Sequence, residues 1–136
     1  MSYNETIKVC QLKRDLEILP AGDLTEIGEK GINMSGGQKA RIGLARAVYS
    51  DKDTILMDDP ISALDADVKK KIFKQVLKQK FAGKTRVLVT HAIDFLHLVD
   101  SIILLKEGRV VFKGPYEEVK DNAYLKELVS IHRGNQ

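Results

Sequence analysis

Two short apolar runs constrain this chain most, because each stops abruptly at a polar side chain. Thr54 to Met57 ends at Asp58 and Asp59, and Thr85 to Thr90 ends at His91. Short apolar runs without alternation are how buried parallel strands are written, and a polar group directly after such a strand stands at its C-terminal edge. Between the runs, Val68, Ile72, Val76 and Leu77 recur at helical spacing. A strand, a helix and a strand make one βαβ unit with a parallel pair at its centre, so the expected fold class is α/β.

The flanking segments extend this core. Tyr3 to Leu16 reads as one amphipathic helix, with Ile7, Val9, Cys10 and Leu12 among polar positions, closed by the loop that holds Pro20 and Gly22. Past the second strand, Ile93 to Leu98 suits a short helix. Ser101 to Leu105 and Arg109 to Phe112 flank Glu107-Gly108 as the arms of a β-hairpin, and Asn122 to His132 suits a closing helix. No internal repeat or linker divides the chain.

Composition excludes several function classes. The 136 residues, 43% of them hydrophobic, suffice for one modest core. The net charge of +3 is too small to call for a polyanionic partner, though six lysines between Val68 and Lys80 leave the remainder of the chain at −3. Those lysines could attract nucleic acid or anionic lipid, but apolar residues at helical spacing among them favour an ordinary solvated helix face, so no nucleic-acid partner is expected. A single cysteine, Cys10, precludes an internal disulfide and carries no motif. The longest purely aliphatic stretch, Ile102 to Leu105, is far shorter than the roughly 20 residues of a membrane helix.

The most specific string is Asn33-Met34-Ser35-Gly36-Gly37-Gln38, continuing Lys39-Ala40-Arg41-Ile42-Gly43-Leu44-Ala45-Arg46-Ala47. Ser35 with Gln38 three residues on forms a capping box, and the apolar stripe from Ala40 to Val48 runs a helix to about Tyr49. The free N–H groups of Gly36, Gly37 and Gln38 at that helix start would attract a phosphate. Ser-Gly-Gly alone equally suits an ordinary capped helix. Asp58-Asp59 before Pro60 equally suits a turn, Ser62-x-x-Asp65 a common helix start, and His91 a structural histidine.

Taken in order, these strings resemble the ATP-binding cassette (ABC) nucleotide-binding domain. Ser35, Gly36, Gly37 and Gln38 resemble its signature motif, Asp58 its Walker B aspartate, Ser62 to Asp65 its D-loop, and Thr90-His91 its switch histidine. The resemblance implies ATP and Mg²⁺ as cofactors. Ser35, Gly36, Gly37, Gln38 and Asp65 would then bind nucleotide, Asp58 would hold the metal, and Asp59 and His91 would be catalytic. Asp59 stands where the family usually carries a glutamate, and an aspartate is one methylene shorter, which puts hydrolysis at this site in doubt. Gly83-Lys84-Thr85 has the last three letters of a phosphate-binding loop, but Lys78 occupies the place of its first glycine. It also joins a helix to a strand, so it reads as a turn.

The wording is most similar to the first cassette of multidrug-resistance-associated (subfamily C) exporters. Thr25 to Gly31 resembles the segment by which such exporters communicate with their membrane domains, and the similarity runs from Tyr3 to about Val119. It implies a P-loop NTPase-like fold of which the chain, 1–136, is the C-terminal half without Walker A. Residues 1–50 would contribute part of the helical subdomain and 51–136 the Walker B, D-loop and histidine part. The implied partners are a second cassette, whose Walker A faces the signature, and transmembrane domains that hold the parent at the cytoplasmic face of a membrane. A truncated regulatory fragment and a non-transport ABC ATPase are the alternatives.

Overall fold

The computed structural model describes residues 1–29 and 31–134. The chain falls into two compact units, 1–90 and 91–136, taken here in turn. In the first unit the order is α1 (Tyr3–Val9), α2 (Lys13–Ile18), a 3₁₀ turn (Gly22–Leu24), α3 (Gly36–Ser50), β1 (Thr54–Asp58), α4 (Ala66–Ile72) and β2 (Thr85–Val89). After Ile72, α4 continues as a π-helical stretch, Phe73–Lys80. Strands β1 and β2 pair in parallel, from Thr54 opposite Thr85 to Asp58 opposite Val89, which is the βαβ unit the apolar runs predict.

Three details depart from the sequence reading. The expected single helix from Tyr3 to Leu16 is broken, because Gln11 adopts a left-handed φ of 57° and turns the chain between α1 and α2. Strands β1 and β2 are covered on one face only. Ile55 and Met57 are buried, whereas Leu56, Val87 and Val89 on the other face are 77%, 51% and 55% exposed. An unalternating apolar run cannot say which of its faces the same chain will cover. The lysine-rich helix buries Phe73 as well as the expected Ile72, Val76 and Leu77, and keeps Lys70, Lys71 and Lys74 in solvent.

Helix α3 spans the unit's core through Leu44, Ala45 and Val48, all buried, and packs against α1. Ile61, fully buried, anchors the loop after β1. Cys10 is also fully buried, and burial pushes its thiol up to about 12, so it behaves as a small apolar side chain.

The second unit opens with a 3₁₀ helix (Ile93–Leu98). An antiparallel hairpin follows, β3 (Ile102–Lys106) and β4 (Arg109–Gly114), then α5 (Tyr116–Val119) and α6 (Ala123–Gly134). Glu107 and Gly108 both have positive φ, 51° and 74°, as a two-residue hairpin turn requires. Ile102, Leu104, Val119 and Leu125 form this unit's core, with Phe112 and Tyr116 packed against it. Among the described residues no helix is long and apolar enough to cross a membrane.

Candidate functional site

Helix α3 begins as its capping box dictates. Ser35 takes extended backbone (φ −65°, ψ 162°), its Oγ accepts from the N–H of Gln38 at 3.2 Å, and Gln38 Oε1 accepts from the N–H of Ser35 at 2.8 Å. The N–H of Lys39 bonds the Ser35 carbonyl at 3.0 Å, the first turn of the helix ladder. This start opens on a cleft of about 500 Å³ lined by Ser35, Gly36, Gly37, Arg41 and Asp65 among others. Four of the five predicted nucleotide contacts therefore border one cavity, and the fifth, Gln38, is bonded to Ser35 and Asp15.

The two glycines face the loop after β1. A Cβ on Gly36 would stand 3.4 Å from the Ala63 Cβ, and one on Gly37 would stand 3.2 Å from the Ala63 carbonyl oxygen. The contact at Gly36 is an ordinary van der Waals one, whereas at Gly37 the approach of the Ala63 backbone is tight and favours glycine whether or not a ligand is present. Asp65, on the same loop, is the N-cap of α4 and accepts from the Val68 N–H at 3.0 Å. Its carboxylate thus serves the helix start and borders the cleft as well.

At the end of β1, Asp58 is exposed and Asp59 half-buried. The N–H of Asp59 continues the ladder to the Val89 carbonyl at 2.7 Å, and its carbonyl accepts from Ser62 Oγ at 3.3 Å. Its backbone is left-handed, with φ 48°, and its buried Oδ1 has no hydrogen-bond partner. No group of three or more His, Cys, Asp or Glu gathers among the described residues. His91 opens the second unit, exposed, with its carbonyl accepting from the Ile93 N–H at 3.0 Å.

The Gly83-Lys84-Thr85 tripeptide is a turn, as expected. Gly83 has φ 78°, and Lys84 Nζ donates to Asp51 Oδ1 at 2.9 Å and to the Lys52 carbonyl at 2.8 Å. The Lys84 hydrogen bond and charge hold the Asp51 carboxyl below its ordinary value, and the ammonium is committed to the turn after α3. Of the Thr25 to Gly31 segment, Lys30 lies outside the described residues.

Sequence reasoning missed two residues. Arg41 was part of the specific string without a role, and Asp15 had no signal at all, being one polar position of a short helix. Arg41 forks onto Asp15 through Nη1 and through Nη2 at 3.2 Å, and Gln38 Nε2 donates to Asp15 Oδ1 at 3.0 Å. Burial pushes the Asp15 carboxyl up. The hydrogen bonds from Arg41 and Gln38, with the Arg41 charge, outweigh burial and hold it below its ordinary value.

A parallel βαβ core with a glycine-rich helix start packed beside a capped loop makes this an α/β protein. The ABC transporter family model matches residues 3–62. Human ATP-binding cassette sub-family C member 3 is 59% identical over 116 residues, 84% of this chain and 8% of the relative. Rat sub-family C member 2 is 54% identical over 121 residues, 88% of this chain and 8% of the relative. ABC transporter C family member 8 of Dictyostelium discoideum is 50% identical over 132 residues, 94% of this chain and 8% of the relative. The chain belongs to the ABC transporter family and spans less than a tenth of the length of these curated relatives.

Proposed function

We propose that this chain is part of the ATP-binding and hydrolysing domain of an ABC-type membrane exporter, where it supplies the signature surface and the catalytic edge. The observation that carries this is the Ser35-capped start of α3, opening with Gly36, Gly37 and Asp65 on one cleft. Its free N–H groups and helix dipole suit a phosphate group, and the relatives are ATP-binding cassette proteins by name. Ser35, Gly36, Gly37 and Gln38 complete an ATP site whose Walker A belongs to a second cassette. Asp58, Asp59 and His91 serve the site of this chain's own cassette.

The residues present suit a magnesium ion of the nucleotide-bound kind. Asp58 offers an exposed carboxylate, and Mg²⁺ commonly takes one or two carboxylates and draws the rest of its shell from phosphate oxygens and water. When bound, the ion neutralises phosphate charge. Asp59 orients the attacking water, although its short side chain and its buried Oδ1 make it a weak positioner, and His91 stabilises charge on the transferred phosphate. The parent couples ATP binding and hydrolysis to export, anchored by transmembrane domains, with its cassettes on the cytoplasmic side.

The test exchanges the aligned segment of human sub-family C member 3 for this chain's residues and measures ATP-dependent uptake into inside-out vesicles. Uptake is retained by the hybrid and lost with Gly37→Asp, which sets a carboxylate against the Ala63 carbonyl and the incoming phosphate. A hybrid indifferent to Gly37→Asp would sink the reading. The 136-residue chain by itself turns over no ATP; turnover that disappears with His91→Ala would overturn that assignment.

A further inference from the structure

Arg41 reaches three separate pieces of backbone and side chain around the start of α3. Besides Asp15, Nη1 donates to the Gln11 carbonyl at 2.5 Å, and Nε donates to the Gly37 carbonyl at 3.2 Å. Gln11 lies between α1 and α2, where its left-handed backbone breaks the helical run. The Arg41 and Asp15 side chains are only 14% and 13% exposed, so water screens this pair little.

The Gln38 amide has one orientation that satisfies both its neighbours. The Ser35 backbone N–H can only donate, so the amide oxygen must face it, and the ionised Asp15 carboxylate can only accept, so the amide nitrogen must face that. Rotating the amide by half a turn would set two donors together and two acceptors together. The charge on Asp15 therefore reinforces the orientation in which the capping box closes. Closing the box leaves the N–H groups of Gly36 and Gly37 as the unbonded donors of the first turn.

We propose that Asp15 and Arg41 are positioning residues that hold the Ser35–Gln38 turn in its donor-out geometry, acting through the Gln38 amide. Their bearing on ATP rests on the reading that this turn meets a phosphate. The clamp itself is made only of this chain's own side chains and backbone. It orders the turn before any ligand arrives, so binding needs less ordering of the loop.

The experiment is amide hydrogen exchange of the 136-residue chain, read at single residues without nucleotide. In Asp15→Asn the amides of Gln38 and Lys39 exchange on the order of tenfold faster, while those of Leu44 to Val48 on the same helix change little. Combined with Gln38→Met, Asp15→Asn has no further local effect, because its route is gone. If Asp15→Asn fails to fold, Arg41→Lys, which keeps the charge and loses the fork, gives the same local acceleration. Equal acceleration along the whole of α3, an unprotected turn in the parent chain, or unfolding by both variants would overturn the proposal. Intact protection at Gln38 in a vesicle hybrid that ignores Gly37→Asp would instead reject the phosphate reading and leave the clamp standing.

Discussion

The first turn of α3 and the end of β1 meet opposite fates, though both carry residues assigned to the same chemistry. At the helix start Ser35, Gln38, Arg41 and Asp15 satisfy one another in a closed network. At the strand end Asp59 holds a left-handed backbone and a buried oxygen with no donor. A buried acceptor left unmade costs about 1–3 kcal/mol, and a non-glycine residue in that backbone region costs of order 1 kcal/mol more. The start of α3 closes its hydrogen bonds among this chain's own groups. Its strand end keeps a conformation that the local sequence does not stabilise, as residues poised for an outside group commonly do.

The largest test of this contrast is Arg41→Met, which keeps the length of the side chain and removes its charge. Asp15 would be left nearly buried with only the Gln38 amide as partner and no compensating charge, so stability should fall by about 3 kcal/mol, read as a lower urea midpoint at unchanged m. A loss under about 1 kcal/mol would mean that the network is ornamental. The same pair sets an acid dependence. Because Asp15 is held below its ordinary value, its contribution is complete above about pH 4 and drains away as pH falls through its lowered value. The parent chain should therefore lose more stability than Arg41→Met as the pH falls below about 4.

At the other region the expected sign reverses. Asp59→Gly removes the orphaned oxygen and relieves the φ of 48°, so it should stabilise the chain by about 1–2 kcal/mol, less the greater freedom of glycine when unfolded. A destabilised Asp59→Gly would show that the carboxylate already has a firm partner, and the contrast between the two regions would collapse.

How much of this was legible in the sequence depended on the range over which each signal acts. The capping box at Ser35, the βαβ unit and the Glu107-Gly108 hairpin follow from neighbours a few residues apart, and all three are where local rules place them. The break at Gln11 was not legible, since glutamine carries no preference for a left-handed backbone and the apolar pattern continues through it. One-sided burial of β1 and β2 was hidden because Leu56, Val87 and Val89 are as apolar as the residues that face inward. Asp15 was invisible for a different reason. Its partners lie 23 and 26 residues away, and a carboxylate on a short polar helix reads as solvated. The family string named the residues that would touch a ligand but not the one that orients them.

The smallest expected effect separates the two helix caps that border the cleft. Asp65 is the side-chain cap of α4 through one hydrogen bond, and its charge also favours the helix dipole, so Asp65→Ala should cost about 1–1.5 kcal/mol. Ser35→Ala deletes one arm of a reciprocal box, but Gln38 keeps accepting from the residue-35 N–H because Asp15 still orients its amide. The cost there should be nearer 0.5 kcal/mol. Urea midpoints of the two variants, measured side by side, give the order directly. If Ser35→Ala proves the more damaging, Gln38 does not hold the turn without the serine hydroxyl, and the path from Asp15 to Gly36 and Gly37 runs through Arg41 and the Gly37 carbonyl instead.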